Sequence, residues 1–225
     1  MRLSSSGRLP PTPRAPRLDL AGRVVAFYAA VAAAAVVWGA LRGHANLLWL
    51  EPLIGAGAGS GAGRAHGAHD LVHLVSSAAL GAALGLLLVL LTRALQARYA
   101  WARVLHNEFR YLLGPLSRRE IILLAAASAV GEECLFRGAL LPHLAALSPG
   151  LLGILLGVVG SAAVFALLHI GPGVRFLPWT LSALLIGVLL GGLFVGTGDL
   201  LGPIAVHFTV NLLNLRHIVR RQMPA

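Results

Sequence analysis

Gly131-Glu132-Glu133-Cys134-Leu135-Phe136-Arg137-Gly138 is a charged cluster set inside an apolar run that extends from 121 to 147. A carboxylate in the hydrocarbon of a bilayer costs about 3 kcal/mol or more, so two adjacent acids and an arginine persist there only where they pair or face water. Glu133 and Arg137 stand four positions apart, share one helical face and can neutralise each other. Glu132 lies about 100° further round the helix and is left over to point at a cavity or at other helices.

The surroundings of that cluster fix the class of the protein. The chain has 225 residues, 57% of them apolar and 12% charged, with a mean hydropathy of +0.81. That is the composition of a polytopic membrane protein. The expected fold is all-α: a membrane helical bundle of about six transmembrane helices with one amphipathic segment on the inner leaflet. All 18 basic residues are arginine, which points to a high-GC bacterial gene. The net charge of +10 does not indicate nucleic-acid binding, because the arginines fall at helix ends instead of along one stripe. Cys134 is the single cysteine, which excludes an internal disulfide and leaves it a packing role.

Residues 1–22 hold four arginines and four prolines and read as a disordered cytoplasmic tail. Residues 23–116 carry two spans, 24–41 and 71–91, separated by a glycine-rich external loop at 42–70. The run 24–41 is long for a signal peptide and no clear cleavage site follows it. After the second span, Arg93, Arg98, Arg103, Arg110, Arg118 and Arg119 crowd a stretch that includes Trp101 and Tyr111, as in a basic segment lying on the inner leaflet.

Ser117-Arg118-Arg119-Glu120 fits a capping box and opens the core, 117–219. Spans are expected at 121–147, 151–169, 176–195 and 200–218, followed by a short tail at 220–225. Both termini then come out in the cytoplasm with the dense arginine clusters on one side, in an inner membrane of a bacterial cell. The glycines at 153, 157, 160, 187, 191, 192 and 196 recur at the small-residue spacing of closely packed membrane helices.

Three later polar positions break the apolar pattern: His169, His207 and Asn211. The last two are four apart and share a face. At ~1.5 Å per residue, Glu132 lies on the order of 17 Å from the cytoplasmic start of its span, with His207 and Asn211 roughly 13 and 7 Å from the end of theirs. These groups can meet in the inner half of the bilayer.

Glu-Glu-x-x-x-Arg at 132–137, Phe-x-x-x-His at 165–169 and His-x-x-x-Asn at 207–211, in that order on successive apolar helices, resemble the CPBP family of intramembrane proteases. That family comprises the CAAX prenyl protease type 2 enzymes and bacteriocin-processing or immunity proteins. The resemblance covers roughly 117–219, and residues 1–116 contribute nothing to it. It implies that Glu132 is the catalytic base, that Glu133 and Arg137 support it, and that His169, on the motif opened by Phe165, holds water. It also implies that His207 and Asn211 face the developing oxyanion.

Peptide hydrolysis needs a base for water, donors at the oxyanion and an acid for the leaving amine, and these residue types supply all three. The implied activity is an endopeptidase acting on a membrane-anchored protein or peptide, often near its C-terminus, without a cofactor. Glu132, His169 and His207 would also make a three-ligand open zinc site, but no His-Glu-x-x-His signature is present and the resemblance favours a metal-independent glutamate mechanism. A proton-coupled transporter and a non-catalytic immunity or scaffold protein of the same fold are the rival readings. Separately, His66, His69, Asp70 and His73 fall on one face if helical, at the opposite side of the membrane, and read as a solvated helix start. His44, His106, His143, His217 and Asn214 sit near helix ends and read as interfacial or packing groups.

Overall fold

The computed structural model describes residues 18–41 and 71–220, and every regular element among them is helical. Residues 1–17 of the tail expected at 1–22, the loop at 42–70 and the last five residues lie outside the described residues, as do His44, His66, His69 and Asp70, while 18–22 of that tail are already part of the first helix.

Helix α1 covers Leu18–Leu41, α2 Leu71–Arg98, α3 Ala100–Leu113 and α4 Arg118–Glu133. A π-helical turn, Cys134–Leu140, carries α4 into α5 at Leu141–Ala145. Helix α6 covers Gly150–Leu167, α7 Leu177–Thr197 and α8 Leu201–Arg220. Among the described residues, four stretches are long and apolar enough to cross a membrane: Gly22–Leu41, Leu71–Arg98, Gly150–Leu167 and Val174–Thr197. The remaining long helical paths, 118–145 and α8, are the two that hold the acids, Arg137, His207 and Asn211. Polar content separates α8 from the other four, and the π-helical interruption that leaves α4 with 16 residues adds to it in the path 118–145.

Local chemistry sets several boundaries. Ser117 and Glu120 form the full capping box that opens α4: the Ser117 N–H donates to Glu120 Oε2 at 2.7 Å, and the Glu120 N–H to Ser117 Oγ at 3.2 Å. The expected third span is not a uniform α-helix. Pro142 has no N–H for the Gly138 carbonyl, and the chain widens just upstream, with Leu141 N–H reaching Phe136 O five residues back. The fourth span ends earlier than expected, at Leu167, so His169 sits in the turn beyond α6 instead of on the helix. The second runs further, to Arg98, before Tyr99 breaks it and α3 begins. Helix α7 stops on Gly198, whose φ of 75° suits a residue without Cβ.

Packing follows the small residues. Gly81 and Gly85 bring α2 against Gly202, Val206 and Thr209 of α8, and the two helices run parallel. Gly187 and Gly191 meet Ala162 and Val158 across an antiparallel α6–α7 contact. Two glycines depart from the packing expectation: a Cβ at Gly192 or Gly196 would meet nothing within 4 Å. Cys134 is buried in the core cluster with Ala35, Leu141, Val158, Phe194 and Leu200, as a free thiol that only packs.

One end of the bundle gathers α3, the α6–α7 link and the end of α8: Arg175 pairs with Glu108 at 2.7 Å, and Arg110 Nε donates to Ile218 O at 3.3 Å. The other end is fastened at Asp199, which caps α8 through the N–H groups of Leu201 and Gly202. Ser77 Oγ donates to Asp199 Oδ1 at 2.9 Å, and His73 Nε2 lies 3.1 Å from Oδ2. His73 is therefore a tie between α2 and the α7–α8 turn, and no metal-holding set forms around it among the described residues.

Candidate active site

Glu132 and Glu133 close α4, and their side chains take the separate directions that helical geometry requires. Glu133 and Arg137 are both fully buried and joined at 3.0 Å between Glu133 Oε1 and Arg137 Nη1. Arg137 Nη2 donates to Gly187 O at 3.0 Å, and its guanidinium stands 4.9 Å from the centre of the Phe165 ring. The same Glu133 Oε1 lies 2.7 Å from His207 Nδ1, so α4, the π turn and α8 meet at one oxygen, and α7 is tied to them through Arg137. An ion pair withdrawn from water needs such additional partners, because desolvation offsets much of its Coulomb energy.

Glu132 faces the other way, with its side chain 12% exposed. Tyr28, on α1, donates its hydroxyl to Glu132 Oε1 at 2.6 Å. The second oxygen, Oε2, is buried with no hydrogen-bond partner among the described residues. Two imidazole nitrogens look at it: His169 Nε2 at 3.9 Å and His207 Nε2 at 3.8 Å.

The partners of the opposite ring nitrogens fix the proton inventory. His169 Nδ1 lies 2.7 Å from Phe165 O, and a carbonyl can only accept, so Nδ1 carries the hydrogen and Nε2 of the neutral ring offers a lone pair. His207 Nδ1 likewise faces a carboxylate, so its Nε2 accepts when the ring is neutral and donates when it is an imidazolium. The His169 ring lies on Phe165 with centroids 4.2 Å apart, Trp179 approaches it at 5.1 Å, and Thr180 Oγ1 donates to the His169 carbonyl at 2.8 Å. These contacts hold a histidine that no helix holds.

Asn211 is one turn along α8 from His207, and its Nδ2 donates to Ser128 Oγ at 3.0 Å. Ser128 in turn precedes Glu132 by four residues, so both sit on one strip of α4. The structure therefore brings Glu132, His169 and His207 to one point, holds Glu133, Arg137 and Phe165 directly behind them, and places Asn211 a turn away against Ser128. The side chains that touch this constellation without having been selected from the sequence include Tyr28 and Ser128, beside Trp179 and Thr180 against His169. Ser128 carried a signal in its four-residue spacing from Glu132; Tyr28 carried only that of one phenol in an alanine-rich span. Among the described residues, no set of three His, Cys, Asp or Glu side chains closes to the separations of a metal site, the Glu132–His169–His207 set included.

Residues 116–213 match the family model of Rce1-like, type II CAAX prenyl endopeptidases. No curated protein and no solved structure matches the chain. The matched stretch begins just ahead of the capping box of α4 and ends two residues past Asn211, so every motif on it lies in one continuous set of helices. This segment, a little under half of the chain, is similar to the CPBP family of intramembrane proteases, and the match supports membership of it.

Proposed function

We propose that the protein is an intramembrane endopeptidase that hydrolyses a peptide bond in a membrane-associated protein or peptide, near its C-terminus, with Glu132 as general base. One observation carries the reading: a buried, unpartnered carboxylate oxygen faced by two imidazole nitrogens at 3.9 and 3.8 Å. Two hydrogen bonds of ~2.8 Å meeting at about a right angle span roughly 4 Å, so these separations suit one water shared between the base and each ring.

In the proposed reaction, Glu132 Oε2 takes one proton from that water while His169 Nε2 accepts the hydrogen bond of the other. The water oxygen bonds to the scissile carbonyl carbon, and the carbonyl π pair moves onto oxygen. His207, as an imidazolium balanced by Glu133, donates from Nε2 to that oxyanion, and the remaining N–H of Asn211 is the second donor. The oxyanion then collapses, the C–N bond breaks and Glu132 returns its proton to the leaving nitrogen. The separation of duties rests on the Nδ1 partners: a carbonyl keeps His169 an acceptor, and a carboxylate lets His207 become a donor.

The reaction is proposed to be metal-independent, with Glu132 itself activating the water. Helices 118–145 and α8 are proposed to cross the membrane with the four apolar ones, giving six spans, both termini in the cytoplasm and the chain in the inner membrane of a bacterial cell. The substrate enters from the bilayer as a membrane-anchored protein tail or peptide.

Comparing membrane-protein termini in cells carrying the wild type, lacking the gene, or carrying Glu132→Gln tests this directly. New termini present only with the wild type are expected. Termini that persist with Glu132→Gln would sink the assignment of the base, and metal bound stoichiometrically to active purified protein would sink the metal-free route.

A further inference from the structure

The family match starts at residue 116, yet the hydrogen bond that fixes the orientation of Glu132 comes from α1, about a hundred positions earlier. Tyr28 Oη lies 2.6 Å from Glu132 Oε1, within the short range of a hydroxyl donating to a carboxylate. The approach is built into the backbone. A Cβ on Gly131 would stand 2.9 Å from both Tyr28 Cδ1 and the Tyr28 carbonyl oxygen, so the glycine preceding Glu132 is what admits the ring. Phe27 meets Tyr28 edge-on at 5.2 Å, and α1 stays against the π turn through Ala32 and Ala35, which pack with Cys134 and Ala139.

The terminal torsion of a glutamate is broad and nearly two-fold, so a carboxylate tethered by nothing else can present either oxygen in many directions. With Oε1 held, Oε2 is the oxygen turned toward His169 and His207. We propose that Tyr28 is a positioning residue of the hydrolytic site, selecting Oε2 of Glu132 as the reacting oxygen, so that the N-terminal helix completes a centre whose motifs all lie elsewhere. This rests on Glu132 being the base. Tyr28 acts through that carboxylate and leaves substrate contacts to other residues.

Tyr28→Phe removes the hydroxyl and keeps the ring that Gly131 accommodates. The test uses full-length protein in vesicles and a substrate identified by the comparison of membrane-protein termini, with Glu132→Gln in parallel. A hydrogen bond to a charged group corresponds to a fall in kcat of about 10- to 100-fold. KM and the thermal midpoint are expected to stay at the wild-type values. Glu132→Asp withdraws the carboxylate by one methylene and already breaks the contact, so adding Tyr28→Phe to that variant is expected to cost almost nothing more.

Unchanged kcat overturns the proposal, as does a raised KM at constant kcat, or full additivity with Glu132→Asp. So does a loss of rate that tracks a lowered melting temperature. If Glu132→Gln cleaves like the wild type, the reading of the base falls; if Glu132→Gln is inactive and Tyr28→Phe is normal, only the role of Tyr28 falls.

Discussion

Arg137 shows most clearly how one side chain in this site depends on the others. It is fully buried, and its charge is answered by Glu133, the Gly187 carbonyl and the face of Phe165. Replacing it with methionine keeps the volume and strands the carboxylate of Glu133 against His207 alone. Breaking a buried pair from one side costs about 3–5 kcal/mol, so Arg137→Met should lower the thermal midpoint sharply in detergent or bilayer. Adding Glu133→Gln should recover part of that loss, because the stranded charge is then gone. A double variant no more stable than Arg137→Met would show that the pair matters through shape and not charge. The i, i+4 spacing made this ion pair legible in the sequence. The second partner of Glu133, His207 from 74 positions away, was not legible, since spacing says nothing about which distant helix lies alongside.

Among elements, close approach is decided glycine by glycine. Gly157 lets α6 lie on α5: a Cβ there would be 2.8 Å from Leu141 O and 3.0 Å from Ala145 Cβ. Gly157→Leu should therefore destabilise by about 1–3 kcal/mol through overpacking, read as a fall in thermal midpoint. Gly192→Leu, where a Cβ meets nothing within 4 Å, should be neutral in the same assay. The sequence grouped both glycines as packing residues. It could not separate them, because their shared spacing fixes the period of a helix and not the azimuth at which a neighbour docks. The π turn at Cys134–Leu140 was not read from the sequence: Pro142 lies inside the expected span 121–147, and the helix widens ahead of it instead of ending.

For the whole molecule, the arrangement of arginines and the packing agree on two ends. Glu108–Arg175 and Arg110–Ile218 fasten the end rich in arginine, and the Asp199 cluster fastens the other. With Cys134 replaced by serine, a membrane-impermeant maleimide should label Leu147→Cys in intact spheroplasts. The same reagent should label Val174→Cys only after permeabilisation, since the two exposed positions flank α6 at opposite ends. Equal labelling of both without permeabilisation would overturn the proposed orientation. What the sequence determined by itself was the helical membrane character and the identity of most polar side chains that gather inside it. Burial of charge in an apolar run is expensive enough to be visible one residue at a time. What only the tertiary structure decided was direction: which oxygen of Glu132 faces the imidazoles, that Glu133 is shared with His207, and that α1 supplies Tyr28. Those depend on how separate helices rotate and slide against one another, and that is set by contacts between residues far apart in the chain.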